Sequence, residues 1–175
     1  STKGKIVSTD VDLNAFNYCK NKFNNKDRIK LYNFNFSFVD VIAKIESLEF
    51  FDGIFADLGV SSFQLDNAAA GFSYSVDSAL DLRLDKSFKK TAADFINEES
   101  EDKIADVIYN YGEEKNSGKI AHQISLARDK KRIESTDELK KIIASVTNPK
   151  YLTKTLSRVF QALRIYVNDE LAVLK

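Results

Sequence analysis

An α/β fold is predicted from the order in which strand-like and helix-like segments follow one another at the start of the chain. Residues 5–9 (KIVST) and 29–34 (IKLYNF) have the apolar, β-branched composition of strands, and residues 53–58 (GIFADL) share it. Two segments with apolar residues at helical spacing lie between them. Connections this short favour parallel pairing through right-handed crossovers, which gives half of a doubly wound sheet.

A cap and a periodic apolar pattern indicate the two helices of this part. Asp12 is placed to cap the first helix. The apolar positions are Leu13, Phe16, Cys19 and Phe23 in the first helix and Phe38, Ile42, Ile45 and Leu48 in the second. Because Cys19 lies on this apolar face, it is expected in the core.

After Gly59 the pattern changes to a loop and then to helices. Residues 61–85 are rich in Ser, Gly, Ala and Asp without a sustained period, which is typical of an ordered loop. Helices are predicted over 91–97, 100–111, 119–126, 135–146 and 155–174. Ser135 and Glu138 have the spacing of a capping box. The order of elements therefore predicts a sheet followed by a helical region.

Length and composition exclude several classes of protein. The chain has 175 residues, of which 43% are hydrophobic and 30% charged, and these values exclude collagen-like, disulfide-rich and strongly disordered proteins. Since no apolar run approaches the ~20 residues that a membrane crossing needs, a cytoplasmic protein without a membrane partner is expected. With Cys19 and His122 alone of their types, the chain cannot form a Cys/His metal cage, so no metal is predicted. His122 is expected to be an ordinary helix residue.

The net charge of zero hides two segments of opposite charge. Residues 66–114 carry 5 basic and 12 acidic residues, whereas residues 119–164 carry 11 basic and 4 acidic residues. An even charge distribution would argue against a nucleic-acid partner. The uneven one leaves two readings open, solvated helix faces or a basic surface for a polyanion.

Two carboxylates lie at the carboxyl ends of predicted strands, where ligands of open parallel sheets bind. Asp10 comes after the first strand and Asp57 lies in the third, near its end. A carboxylate at such a position can accept hydrogen bonds from both hydroxyls of a ribose. This pattern is shared by NAD enzymes and S-adenosylmethionine enzymes, and an ordinary loop carboxylate also satisfies it, so the residues alone do not decide between them.

Three longer motifs are more specific. They are DLGVSSFQLD at 57–66, GFSYSVDSALDLRLD at 71–85 and FQALRIYVNDEL at 160–171. In this order they resemble the bacterial 16S ribosomal RNA cytosine-N4 methyltransferase family. The resemblance implies a Rossmann-like, S-adenosylmethionine-dependent catalytic domain interrupted by a helical domain that engages substrate. It also implies methylation of the exocyclic amine of a cytidine in the decoding region of small-subunit ribosomal RNA.

The resemblance also implies how the chain is divided and which residues form the site. Residues 1–69 and 155–175 match the catalytic domain, and residues 70–154 match the inserted helical domain. The matched site positions are Asp10 for the ribose, Phe36 for the adenine side, Asp57 and Gln64 for further cofactor contacts, and Arg83, Arg158 and Arg164 for substrate. Asp57 is in addition the best-placed acceptor for an N–H of the cytosine amine, which makes it the predicted catalytic residue.

Members of the family carry further elements on either side of the matched region. In such folds a glycine-rich stretch, which ends in His in this family, follows the first strand of the sheet and would lie just upstream of residue 1, and the last strands follow the helix that contains FQALRI. This chain has neither, which predicts that its length corresponds to the middle of a larger methyltransferase. The alternatives are a non-catalytic RNA-binding or assembly module and an NAD-dependent oxidoreductase. The expected partner is 16S ribosomal RNA or the small subunit, and the sequence leaves the oligomeric state open, a homodimer included.

Overall fold

The computed structural model describes residues 4–24, 26–57, 59, 73–86 and 89–171. The chain divides into two compact units, one formed by residues 1–58 with 173–175 and the other by residues 59–172. No helix in the described ranges combines the length and the apolar character needed to cross a membrane. The division into catalytic and inserted domains that the resemblance implies remains a prediction.

The first unit contains a parallel pair of strands with helices beside it. Strands β1 (Ile6–Thr9) and β2 (Ile29–Tyr32) pair in parallel, with Ile6 opposite Ile29 and Thr9 opposite Tyr32. Helix α1 (Leu13–Phe23) connects them, and a 3₁₀ turn at Phe36–Phe38 leads into α2 (Val39–Ile45). This parallel βαβ connection confirms the predicted α/β class.

Helix α1 begins where the sequence predicts. The side chain of Asp12 accepts hydrogen bonds from the backbone N–H groups of Asn14 (2.7 Å) and Ala15 (3.4 Å), so two groups that lack partners within the helix are satisfied. Cys19 on this helix is half-buried rather than fully enclosed.

The third predicted strand is not formed over 53–57, the part of it that the structure describes. These residues pair with neither strand of the sheet, and the side chains of Ile54 and Phe55 are 76% and 92% exposed. A strand needs a bonded neighbour and a covered face. The described part of this unit supplies neither for these residues, and the prediction is wrong there.

The second unit is a bundle of helices. They are α3 (Ala92–Glu98), α4 (Glu101–Gly112), α5 (Ser117–Arg128), α6 (Thr136–Val146) and, after a 3₁₀ turn at Pro149–Tyr151, α7 (Leu152–Val167). The predicted helices all exist, with ends shifted by at most three residues except at the last. There the prediction ran to 174, whereas α7 ends at Val167 because Asp169 takes a left-handed φ of 49°.

Helix α4 lies between α5 and α7 and forms the centre of the core. Ile104 and Ile108 of α4, together with Val159 and Leu163 of α7, are fully enclosed. Each such side chain contributes about 1.5–3 kcal/mol of burial free energy. The two helices approach closely where Gly112 faces the backbone of Arg158.

Capping boxes begin two helices of this unit. The predicted box at Ser135 and Glu138 is present, and a second one joins Thr91 and Asp94 at the start of α3. The backbone N–H of Glu134 (2.9 Å) and the Lys131 ammonium (2.6 Å) hydrogen-bond to Glu138. Together they lower the pKa of Glu138 to about 2. The box is therefore charged over the whole neutral and mildly acidic range.

The loop that the sequence predicts as ordered is held by hydrogen bonds to α6 over residues 73–86. The backbone N–H of Ser78 donates to the Thr136 hydroxyl (3.0 Å), and the Thr136 N–H donates to the Ser78 carbonyl (2.9 Å). Next to them, Ala79 and Ser135 form an antiparallel bridge. These hydrogen bonds provide partners for backbone N–H and C=O groups that are withdrawn from water in the folded unit.

Asp81 fixes the next turn of this loop and has a strongly lowered pKa. Burial raises the pKa of Asp81, but hydrogen bonds from Arg83 (Nε, 2.6 Å) and Lys86 (Nζ, 2.8 Å) outweigh it and bring the pKa to about 2, from an ordinary 3.8. We expect Asp81→Asn to lower the free energy of unfolding at pH 7 by about 2 kcal/mol.

This loss should depend on pH in a defined direction. Since the pKa of Asp81 is lowered on folding, its stabilisation is present above pH 3.8 and disappears as the pH falls toward 2. Urea unfolding of wild type and Asp81→Asn should therefore converge over this range. Asp106→Asn, at an exposed position of α4, is the control and should unfold like wild type. A gap that stays constant down to the lowest pH would contradict the role of this carboxylate.

Candidate functional site

One candidate site lies at the carboxyl edge of β1 and β2. Asp10 directly follows β1, and its backbone N–H donates to the carbonyl of Tyr32 at the end of β2 (3.1 Å). The N–H of Asp12 donates to Oδ1 of Asp10 (2.8 Å), so the carboxylate is held in the turn between β1 and α1. This is the edge at which parallel sheets bind ligands.

The pKa of Asp10 is raised. Neighbouring protein atoms crowd its carboxyl group, and this partial desolvation is the main cause. The hydrogen bond from the Asp12 N–H opposes the rise, and the negative charge of Asp12 adds to it. Asp10 therefore takes up a proton at a higher pH than an ordinary aspartate does.

Side-chain hydrogen bonds join the turns beyond the two strands. The Asn33 amide donates to the carbonyls of Asp10 (2.8 Å) and Val11 (3.1 Å). The Thr9 hydroxyl donates to the carbonyl of Phe34. These three bonds fix the segments after β1 and β2 side by side, so that the residues at this edge have defined positions.

Phe36 lies at the same edge and is 37% exposed. It begins the 3₁₀ turn after β2, where Asn35 accepts a hydrogen bond from the backbone N–H of Ser37 (3.0 Å). Beside it, the rings of Phe34 and Tyr32 stack with centroids 6.2 Å apart. The edge thus combines a carboxylate with a partly open aromatic ring.

The other two predicted cofactor residues are less defined by the structure. Asp57 is exposed at the end of the unpaired segment 51–57. Gln64 lies outside the described residues. The roles of Asp10, Phe36, Asp57 and Gln64 in binding a cofactor all remain predictions.

In the helical unit, Asn168 joins two of the three sequence motifs. Its side chain accepts a hydrogen bond from the Leu84 N–H (2.7 Å) and donates to the carbonyls of Leu82 (2.7 Å) and Arg164 (2.9 Å). Asn168 is 4% exposed, so these bonds form away from water and each is costly to lose. The Asn of FQALRIYVNDEL therefore fixes the backbone of LDLRLD.

Each of the three predicted substrate arginines is paired within the helical unit. Arg83 binds both carboxylate oxygens of Asp81 (2.6 and 3.0 Å), and Arg164 binds both of Glu170 (2.8 and 3.2 Å). Arg158 lies 3.5 Å from Glu114, which is 6% exposed. The two-point pairs of Arg83 and Arg164 fix their guanidinium groups firmly, whereas Arg158 makes a single longer contact. RNA contacts by the three arginines remain a prediction.

Several cations of the basic segment are also engaged. Arg128 donates to the carbonyls of Ile96 (2.8 Å) and Glu99 (2.6 Å) at the end of α3. Three others pair with carboxylates: Lys131 with Glu138, Arg132 with Asp94 and Lys141 with Asp137. The sequence count of positive charges therefore overstates the charge that is open to a ligand.

An aromatic cleft of about 330 Å³ opens between α3, α4 and α7. Phe95, Tyr111 and Tyr166 line it, with Lys90 and Asp169 at its polar part. The rings of Phe95 and Tyr166 have centroids 4.3 Å apart, and the Lys103 ammonium lies 5.4 Å from the centroid of Tyr166. The lining of this cleft is mixed, with aromatic rings beside a lysine and an aspartate.

The sequence was compared with models of protein families. The model of the MraW methylase family matches residues 1–175. The chain belongs to the MraW methylase family.

Relatives of this family share 36–46% of their residues with the chain. A protein of Caldicellulosiruptor saccharolyticus named Ribosomal RNA small subunit methyltransferase H is 43% identical over all of this chain and 57% of its own length. A protein of the same name from Wolbachia is 46% identical over 85% of this chain and 51% of its own length. The chain thus spans little more than half the length of the curated relatives that it matches.

The sequence did not indicate every feature of the site. The aromatic cleft was missed because its rings come from three helices far apart in sequence and look like core residues in each. Asn33 was missed for a similar reason, since nothing local marks an asparagine that bonds across two turns. His122 was expected on a helix, and it lies on α5 beside Glu101 (3.2 Å).

Proposed function

We propose that the full-length protein transfers a methyl group from S-adenosylmethionine to the exocyclic N4 amine of a cytidine in the decoding region of 16S ribosomal RNA. The observation that carries the proposal is the position of Asp10 and Phe36 after two adjacent parallel strands, at one sheet edge, in a member of the MraW methylase family. The names of the relatives support small-subunit ribosomal RNA as the substrate.

The residues at the sheet edge suit the ribose and adenine of this cofactor. One oxygen of the Asp10 carboxylate accepts the Asp12 N–H (2.8 Å), and a carboxylate has further lone pairs for the two ribose hydroxyls. Phe36 offers a partly exposed ring against which an adenine can stack. Asn33 keeps this edge in place through its bonds to Asp10 and Val11.

Methyl transfer to the cytosine N4 amine requires a residue that orients this amine. Bound S-adenosylmethionine supplies an electrophilic methyl group on a positively charged sulfur. The cytosine amine is a weak nucleophile because its lone pair is delocalised into the ring, so it needs an acceptor for an N–H and a fixed line of approach. Asp57, with its exposed carboxylate, is the residue to which we assign this role.

The target cytosine has to leave the base stack of the RNA, since a stacked base cannot reach the methyl group in an active site. A helical unit with its own core and an aromatic cleft is suited to hold RNA in such a conformation. The NAD-dependent oxidoreductase has no support from the family match. The assay described next distinguishes a non-catalytic RNA-binding module from an enzyme.

The test uses the full-length protein, small subunits from a strain that lacks the gene, and S-adenosylmethionine with a labelled methyl group. We expect label in 16S RNA, and mass spectrometry should place it as N4-methylcytidine. Titration calorimetry should give heat with S-adenosylmethionine and none with NAD. If the protein binds RNA but gives no heat on titration with S-adenosylmethionine, the non-catalytic RNA-binding module would be favoured over the enzyme. An N4-methylcytidine that persists in the deletion strain would refute the substrate.

A further inference from the structure

A basic segment of the helical unit contains no acidic residue at all. Residues 139–168 include six Lys or Arg and neither Asp nor Glu. Four of the six are engaged by other parts of the unit: Lys140 with the Tyr74 carbonyl, Lys141 with Asp137, Arg158 with Glu114 and Arg164 with Glu170. The remaining two, Lys150 and Lys154, are exposed and pair with no carboxylate in the described part of the chain.

An exposed tyrosine lies between these two lysines. Tyr151 is 55% exposed, and the Lys150 ammonium is 5.6 Å from the centroid of its ring. The Asn148 side chain accepts the backbone N–H of Lys150 (2.9 Å), which fixes the 3₁₀ turn that carries both residues. Lys154 follows within the first turn of α7.

The beginning of α5 brings two more lysines to this surface. Asn116 donates to the carbonyl of Val146 at the end of α6 (3.1 Å), and the neighbouring Glu114 binds Arg158 of α7 (3.5 Å). Lys115, between these two anchored residues, and Lys119, one helical turn further, are both exposed.

These side chains define a lysine–tyrosine patch. Its members are Lys115, Lys119, Lys150, Tyr151 and Lys154. Four exposed ammonium groups, one of them 5.6 Å from the centroid of an open aromatic ring, match the two chemical features of single-stranded RNA, a row of phosphates and bases with exposed faces. The carboxylates of an acidic peptide would use the charges but would not stack on the ring, whereas every unpaired base would.

We propose that the lysine–tyrosine patch binds a single-stranded segment of the RNA substrate, with its lysines on phosphates and Tyr151 stacked on an unpaired base. This inference rests on the proposed function, because it takes RNA as the substrate. It assigns RNA binding to residues other than the paired arginines Arg83, Arg158 and Arg164.

The test measures the binding of the full-length protein to a short labelled single-stranded RNA at several salt concentrations. Tyr151→Ala should weaken binding about tenfold. Lys150→Gln and Lys154→Gln should each weaken it and lower the slope of log K against log salt by about 0.7.

Matched controls come from the same helical unit. Lys130→Gln removes an equally exposed lysine beyond the far end of α5, about 16 Å along the helix from its start. Tyr109→Ala removes a tyrosine that is 57% exposed on α4. Both should bind RNA within about twofold of wild type. Thermal melting should show every variant folded, because all five positions are exposed.

Two results would overturn the inference. In one, the patch variants bind RNA as the controls do. In the other, polyglutamate competes as well as RNA and loses affinity equally with Tyr151→Ala, which would make an acidic protein the partner. The methylation assay separates this failure from that of the proposed function. If wild type methylates 16S RNA while the patch variants bind normally, only the patch assignment fails; if wild type transfers no methyl group, the function fails.

Discussion

Replacing Gly112 with alanine should lower the free energy of unfolding of the helical unit by about 3 kcal/mol. A Cβ at this position would lie 2.5 Å from the carbonyl oxygen and 3.1 Å from the carbonyl carbon of Arg158, and 3.2 Å from Cβ of Ala162. Two of these atoms belong to the backbone of α7, which cannot rotate away as a side chain would. Helices α4 and α7 must therefore separate at the C-terminal end of α4, and urea unfolding measures the loss.

Gly118→Ala is the matched control for this change. Gly118 is also helical, in the first turn of α5, but a Cβ there would meet nothing within 4 Å. Alanine should leave the stability unchanged or raise it by up to about 1 kcal/mol, because it restricts the unfolded chain. If Gly112→Ala proved as stable as Gly118→Ala, the close contact between α4 and α7 would not exist in solution.

The largest effect on activity is expected for Asp57. In the full-length protein, Asp57→Ala should reduce the rate of methyl transfer at least about hundredfold, since it removes the proposed acceptor for the amine N–H. A loss in kcat at saturating cofactor would indicate the orienting role, whereas a loss of cofactor affinity in calorimetry would indicate cofactor binding. Both measurements belong in the same experiment.

Asp52→Ala supplies the comparison for Asp57→Ala. Asp52 is another exposed carboxylate in the same unpaired segment, so its removal changes the local charge equally. We expect it to retain wild-type methylation. Full methylation by Asp57→Ala would refute the assignment of the catalytic residue while leaving Asp10 and Phe36 open as cofactor ligands.

Local patterns predicted the elements that local interactions form. Asp12 caps α1 and Ser135 with Glu138 caps α6 through bonds that span two to four residues, and such signals are visible in sequence. The third strand failed over 53–57 because pairing depends on distant partners. The end of α7 was misjudged because the apolar stripe continues to Leu171 and Leu174, while the contacts of Asn168 come from residues 82–84.

The candidate site was predictable to a similar degree. The position of Asp10 and Phe36 after their strands follows from the order of elements. The partners of the arginines do not, since Arg158 meets Glu114 from a different helix. Counting charges in residues 119–164 could not separate Lys150, which is open, from Arg132, which is bound to Asp94. Only the folded arrangement distinguishes a cation that stabilises the unit from one that is available to a ligand.

The contacts of Asn168 also have a consequence for biosynthesis. The backbone groups of Leu82 and Leu84 find their partner in a side chain about eighty residues later in the chain. A ribosome translates this distance over several seconds, at about 5–20 residues per second. During that time the backbone groups of Leu82 and Leu84 lack their hydrogen-bond partner, because Asn168 has not yet been synthesised. The hydrogen bonds of this segment can therefore form only late, once Asn168 has left the ribosome.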